Sequence, residues 1–150
     1  MGKFIQGIFK PKYPEKYDGD HTNIIYRSSW ELKAMVYLDK HPGVIKWGSE
    51  ETIIPYISPL DNRKHRYFVD FKVTLIDKDG IQRTALLEVK PEKQTRPPKV
   101  LAKPTKRYLV EVRDWGVNSA KWEAARSYCA NRGWSFHVIT EKHLNIKHLS

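Results

Sequence analysis

With 150 residues, 27 of them Lys or Arg against 17 Asp or Glu, the chain is sized for one domain over 1–150 and carries a net charge of +10, which favours a polyanionic partner, nucleic acid first. It has no apolar run of about 18 residues, no amphipathic basic helix at either end and no secretory-type apolar stretch near Met1, which argues against a membrane partner. The lone Cys129 cannot close an internal disulfide and fits a reducing compartment.

Residues 1–24 are rich in Lys, Pro, Tyr and Gly, with Lys3, Lys10, Lys12 and Lys16 outnumbering the acids, and predict an extended basic arm. Such an arm either lies along a nucleic-acid backbone or wraps the domain. Ser28 caps a first helix that runs through Lys40 and is stopped by His41-Pro42-Gly43. Glu31, three residues after Ser28, completes a capping box in which its carboxylate ties back to the Ser28 amide. It also shares a stripe with Ala34, Met35 and Leu38, which aims it at the protein body, where a carboxylate needs a partner. Val44–Trp47 and Glu51–Ile57 read as one bent or bulged strand broken at Gly48-Ser49. Glu50 and Glu51 at the break are either solvated turn acids or accessory metal ligands. Residues 58–62 form a loop.

The segment 65–90 carries the chemistry. Tyr67, Val69, Phe71, Val73 and Leu75 alternate with Phe68, Asp70, Lys72 and Thr74, predicting one strand with Asp70 on the less apolar face. Turn formers at Asp77–Gly80 lead into a second strand, Thr84–Lys90, to make an antiparallel hairpin. The register that sets Asp70 opposite Glu88 brings two carboxylates together, with Lys90 one pleat further on the same side as Glu88. Adjacent carboxylates repel, and the usual compensation is a proton, an arginine or a hard cation such as Mg²⁺. Lys90 is then placed to orient or deprotonate a water, or to hold a phosphate oxygen. The plainer reading is a solvated strand face with a cross-strand ion pair. Against it, Val69, Phe71, Leu86, Leu87 and Val89 surround the charges with apolar residues, as in a partly closed site.

After Lys90 comes a basic, proline-rich segment, residues 91–107, with Lys93, Arg96, Lys99, Lys103, Lys106 and Arg107 against the single acid Glu92. Prolines at 91, 97, 98 and 104 exclude a regular helix or central strand. It is a nucleic-acid-binding strap over phosphates, or a solvated loop. Tyr108–Val112 is a short strand or a helix lead-in. Asn118 or Ser119 caps a second helix through Arg132, with Trp122, Ala125 and Cys129 on one stripe, Ala124 and Tyr128 beside it, and Gly133 as its stop. Trp134–Thr140 is a final strand and Glu141 opens a polar tail. The six histidines lack metal-ligand spacing, and neither CxxC, a phosphate-cradling glycine loop nor GxSxG occurs.

The resulting order is helix, three strands, helix, strand, with Glu31 on the first helix, Asp70 on the second strand and Glu88-Val89-Lys90 on the third. This resembles the PD-(D/E)XK nuclease superfamily, an α/β fold with a restriction-endonuclease-like core and a central mixed sheet. Val69 stands where that motif has its proline. More closely, YRSSWEL at 26–32, SEETIIPYISPLDNRKHRYFVDF at 49–71, LLEVKP at 86–91 and WGVNSAKWEAARSYCANRGWSFHVITE at 115–141 are similar to the head completion nucleases of T-even-type phages. The helix and strand motif is also similar to TnsA-type transposon end-cleaving nucleases. These resemblances imply a Mg²⁺-dependent DNA nuclease, Mn²⁺ able to substitute, with Glu31, Asp70, Glu88 and Lys90 as catalytic residues. Asp70, Glu88 and the Val89 carbonyl would be the metal ligands, Glu31 would join through water or a second ion, and Lys90 would position the attacking water. The partners implied are DNA and the phage head, portal or neck proteins, met in the host-cell cytoplasm during assembly or in the virion. A non-catalytic DNA-binding or head–tail joining role is the alternative, and a TnsA-like end-cleaving endonuclease is a second one.

Overall fold

Helices α1 (Ser29–Lys40) and α2 (Lys106–Ala130) cover opposite faces of a four-stranded mixed sheet. The computed structural model describes residues 6–144. In chain order its strands are β1 (Gly7–Phe9), β2 (Ile24–Tyr26), β3 (Val44–Ser49), β4 (Ile53–Ile57), β5 (Lys64–Phe68), β6 (Phe71–Ile76), β7 (Gln82–Val89) and β8 (Ser135–Ile139). The central sheet has the order β3-β6-β7-β8, antiparallel except for β7 with β8, and α2 is the crossover that makes this parallel pair possible. The expected order of helix, three strands, helix and strand is therefore present, with β1, β2, β4 and β5 as additions.

Strand alternation assigns the two cores. Phe71, Val73, Ala85 and Val89 point toward Ala34, Met35 and Leu38 of α1, whereas Leu86 points toward Trp122, Ala125 and Cys129 of α2. Glu88 shares the parity of Leu86 and so lies on the α2 side. The pairing of β6 with β7, Phe71 with Leu87 and Lys72 with Leu86, has the register that sets Asp70 against Glu88, as the sequence predicts.

Two expected strands are each divided. The alternating run 65–75 is β5 and β6, in different sheets, and the run 44–57 is likewise β3 and β4. These four strands form one long antiparallel ribbon whose pairing slips. Ser49 faces Phe71 and Ile53 faces Phe68, so three residues, 50–52, stand opposite two, 69 and 70. The ribbon is stitched across the slip by the Glu50 amide to the Asp70 carbonyl (3.1 Å) and the Val69 amide to the Thr52 carbonyl (3.0 Å). Glu51 is thus the extra residue of a bulge, and Glu50 takes the left-handed conformation, φ 56°. The bulge swings β4–β5 over α2, where Ile54, Tyr67 and Val69 join the second core.

The arm wraps the domain. β1 pairs with β2, and Phe9, Tyr17 and Ile24 are buried against Trp47 and α1. Asp39, 2% exposed, accepts from the Lys12 and Tyr13 amides (2.7 and 3.2 Å). Lys16 Nζ donates to the carbonyls of Asp39 and His41 (2.7 and 2.9 Å), so a buried charge and a helix C-terminus are both satisfied. Lys3 lies outside the described residues. The second helix begins well before Asn118. Thr105 is its cap, its Oγ1 accepting from the Tyr108 amide (3.1 Å), and Tyr108–Val112 is helical. At the other end Gly133, φ 71°, lets the Trp134 amide reach back to the Cys129 carbonyl (2.8 Å).

Candidate active site

Asp70 owes its position to the bulge. It is the first residue after β5 and Val69, at the point where the ribbon passes into the central sheet, and its Oδ2 accepts from the Val89 amide on β7 across 2.7 Å. Glu88, 5% exposed, lies beside it. Burial and then the charge of Glu88 push the Asp70 carboxyl well above its usual range, and the Val89 amide only partly offsets them. Glu88 Oε1 and the Tyr67 hydroxyl are both buried without a hydrogen-bond partner. Burial, followed by the charge of Glu88, raises the Tyr67 hydroxyl as well. Lys90 Nζ stands 3.9 Å from Glu88 Oε2, a loose ion pair.

Glu31 stands at the first turn of α1. Ser28 caps the helix, its Oγ accepting from the Glu31 amide (3.1 Å), but the reciprocal bond differs from the expected box. Glu31 Oε1 accepts from the Arg27 amide (3.1 Å) rather than from that of Ser28. Burial is the main influence raising the Glu31 carboxyl, with Glu50 and Glu88 adding repulsion. The same helix end holds Arg27, which pairs with Glu50 across the bulge. Glu51 turns away, accepting from the Tyr17 hydroxyl at 3.4 Å. Asp70, Glu88 and Lys90 are thus brought together, with Glu31 set back. Among the described residues no three acid, His or Cys side chains converge as a complete metal cage.

Asp70 sits at the junction between β5 and β6 rather than on a strand as expected, opposite Glu88 on β7, with Lys90 one pleat on and Glu31 set back on α1. The TnsA-like endonuclease N-terminal family matches residues 41–141. The chain belongs to this family. A relative, the head completion nuclease of Enterobacteria phage T4, is 41% identical over 139 residues, covering 90% of each chain. No solved structure matches. The TnsA-like match includes Asp70, Glu88 and Lys90 but begins after α1, so Glu31 lies outside it.

The basic segment does not form one free strap. Residues 92–95 make a single 3-10 turn, and Lys106 and Arg107 open α2. Arg96 pairs with Glu92 (3.6 Å) and Arg107 with Glu111 (3.3 Å), whereas Lys93, Lys99, Lys103 and Lys106 form no ion pair among the described residues. Lys93, Arg96 and Arg107 line a cavity of about 250 Å³ against α2. Sequence reading missed Arg27, Tyr67 and the polar residues of α2 that approach Lys90, namely Arg113, Asn118 and Lys121. A signal for the last two existed, because Asn118 and Lys121 fall on the helical stripe of Trp122, Ala125 and Cys129.

Proposed function

We propose that the protein is a Mg²⁺-dependent DNA nuclease that hydrolyses phosphodiester bonds, Mn²⁺ substituting, and that it acts in completing a phage head before the tail is joined. The observation that carries the chemistry is half-buried Asp70 against buried Glu88, with Glu88 Oε1 unpartnered and Lys90 near Oε2. An orphaned carboxylate oxygen next to a second, proton-seeking carboxylate is a costly arrangement without a cation. The donor set fits a small hard ion, which takes one or two carboxylates and fills its other positions with water and phosphate oxygens. Asp70, Glu88 and the Val89 carbonyl would hold the ion. When bound, it supplies charge neutralisation at the phosphate and lowers the pKa of a coordinated water.

The chain's own residues supply the rest. The Val89 amide fixes Asp70 Oδ2 and leaves Oδ1 available to the site. Lys90, held loosely by Glu88, is free to position the attacking water or a phosphate oxygen. Glu31, at the first turn of α1, would contribute through water. Lys93, Arg96, Lys99, Lys103, Lys106 and Arg107 supply cations for DNA phosphates. Similarity to the T4 protein named head completion nuclease supports the assembly role, with head, portal or neck proteins as partners in the host cytoplasm or the virion. Linear and circular DNA incubated with the protein in Mg²⁺, in Mn²⁺ and in EDTA tests the reading. Cleavage confined to the metal-containing samples is expected. DNA left intact in both metals would instead leave a non-catalytic DNA-binding or joining role.

A further inference from the structure

Beside Lys90 lies a cleft of about 370 Å³ that the catalytic reading does not use. Its walls are α2, the tip of the β4–β5 hairpin at Leu60, and the turn after Lys90 at Gln94. Pro59 of that tip packs against the helix at Gly116, 3.8 Å from where a side chain would begin. Lys90, Arg113 and Lys121 all line the cleft, with Asp114 as its one acid. Lys121 is half-buried, its Nζ lying 5.4 Å over the Tyr67 ring and 5.8 Å over the Tyr56 ring. Neither Arg113 nor Lys121 forms an ion pair among the described residues, with Asp114 or with any other acid. Asn118, 7% exposed, adds a buried amide to the same wall.

Three converging cations against one acid, two of them unpaired, describe a site for an anion. Lys90 borders both this cleft and Glu88, so the anion would be the phosphate next to the one being cleaved. The space equals roughly a dozen waters, enough for one nucleotide and not for a base pair. It continues into the cavity lined by Lys93, Arg96 and Arg107, with which it shares Gln94, Asp114 and Asn118. We infer that the α2 cleft is a subsite for the phosphate adjacent to the scissile bond on an unpaired DNA strand. The inference rests on the nuclease reading above for its substrate class.

The test is binding of the full chain, in EDTA so that nothing is cut, to a labelled single-stranded oligonucleotide and to the blunt duplex of the same length. The double variant Arg113→Gln, Lys121→Gln should lose on the order of tenfold or more in single-strand affinity, its log-log salt slope shallowing by about 0.7 for each phosphate it no longer neutralises. Blunt-duplex affinity should hold within about twofold, because a cleft without room for a base pair leaves these cations out of the duplex contact set, and Lys121→Arg, which keeps the charge over Tyr67, should bind as the parent does. An unchanged single-strand affinity, or equal losses on both DNAs, overturns the subsite. Equal thermal unfolding of double variant and parent separates a defect in binding from a defect in folding. If the parent cleaves nothing in Mg²⁺ or Mn²⁺ but the single-strand loss is seen, the nuclease reading fails and the anion site stands. If the parent cleaves and the loss is absent, the reverse holds.

Discussion

The Val89 amide donates to Asp70 Oδ2 at 2.7 Å, so the residue that follows the second acidic position of the motif also anchors the first. This bond holds Asp70 in the register opposite Glu88 although Asp70 itself belongs to no strand. The consequence is a carboxyl pair that the fold enforces rather than tolerates, and its energetic signature is measurable.

Asp70→Asn isolates that signature. Because the Asp70 carboxyl is raised in the folded protein, by burial first and Glu88 second, the folded state binds a proton more tightly than the unfolded one. Its contribution to stability is fully present below the unfolded carboxylate pKa and is lost as pH rises through the folded value. Without divalent ions the parent should therefore lose melting temperature relative to Asp70→Asn as pH moves from acid to neutral. Taking the difference between the two proteins cancels the lowered carboxyls of Asp20, Asp61, Asp77 and Glu92, which titrate in both. Mg²⁺ should raise the parent's melting temperature and leave that of the variant nearly unmoved, while cleavage by the variant falls on the order of 10² or more. Parallel pH profiles for the two would mean that Asp70 is not under strain.

That register was legible from the sequence, because a period of two across a short turn permits few pairings that keep Phe71, Val73, Ala85 and Val89 on one face. The bulge was not. Alternation from Tyr67 to Leu75 runs through the break without a fault, since the extra residue, Glu51, sits on the partner strand, and the left-handed position is filled by Glu50 rather than a glycine. The start of α2 was hidden for another reason. Leu109, Val110 and Val112 are exposed, two of them β-branched, and Gly116 follows, so no apolar stripe marks the first two turns. Thr105 after Pro104 was the available cue. Lys121 escaped notice because only the apolar members of its stripe were read as its content, and Asn118 was read as a helix cap because the start of α2 was placed too late.

Lys90→Ala should abolish turnover while Mg²⁺ affinity is kept or improved. Removing a cation 3.9 Å from Glu88 leaves the carboxylate pair more attractive to a metal. Isothermal titration of Mg²⁺ checks this beside a cleavage assay. Weaker Mg²⁺ binding in the variant would make Lys90 a structural partner of Glu88 instead of a group acting on water or phosphate.

In the basic segment the ion pairs sort the cations. Lys93, Lys99 and Lys103 are unpaired among the described residues, whereas Arg96 and Arg107 already face Glu92 and Glu111. Neutralising the three lysines together should shallow the salt dependence of duplex binding by roughly 0.9 for each phosphate left without its cation. Neutralising the two arginines should change it less. The same slope in the lysine variant and the parent would mark the segment as a solvated loop.

Glu31 is where capping and catalysis are hardest to part, and Glu31→Gln parts them. The carboxylate accepts from the Arg27 amide, and a glutamine carbonyl can accept that bond equally, while the bond from the residue-31 amide to Ser28 Oγ is untouched. Stability should therefore drop by no more than a few tenths to about 1 kcal/mol. Burial and the repulsion from Glu50 and Glu88 raise this carboxyl, so removing its charge also relieves a strain and can offset that loss. What glutamine cannot supply is negative charge toward a hard cation and its bound water. A catalytic Glu31 thus predicts cleavage lower by on the order of 10² or more with the melting temperature nearly unchanged. Activity within about threefold of the parent, a barrier change under about 1 kcal/mol, would reduce Glu31 to a helix cap and leave the site to Asp70, Glu88 and Lys90.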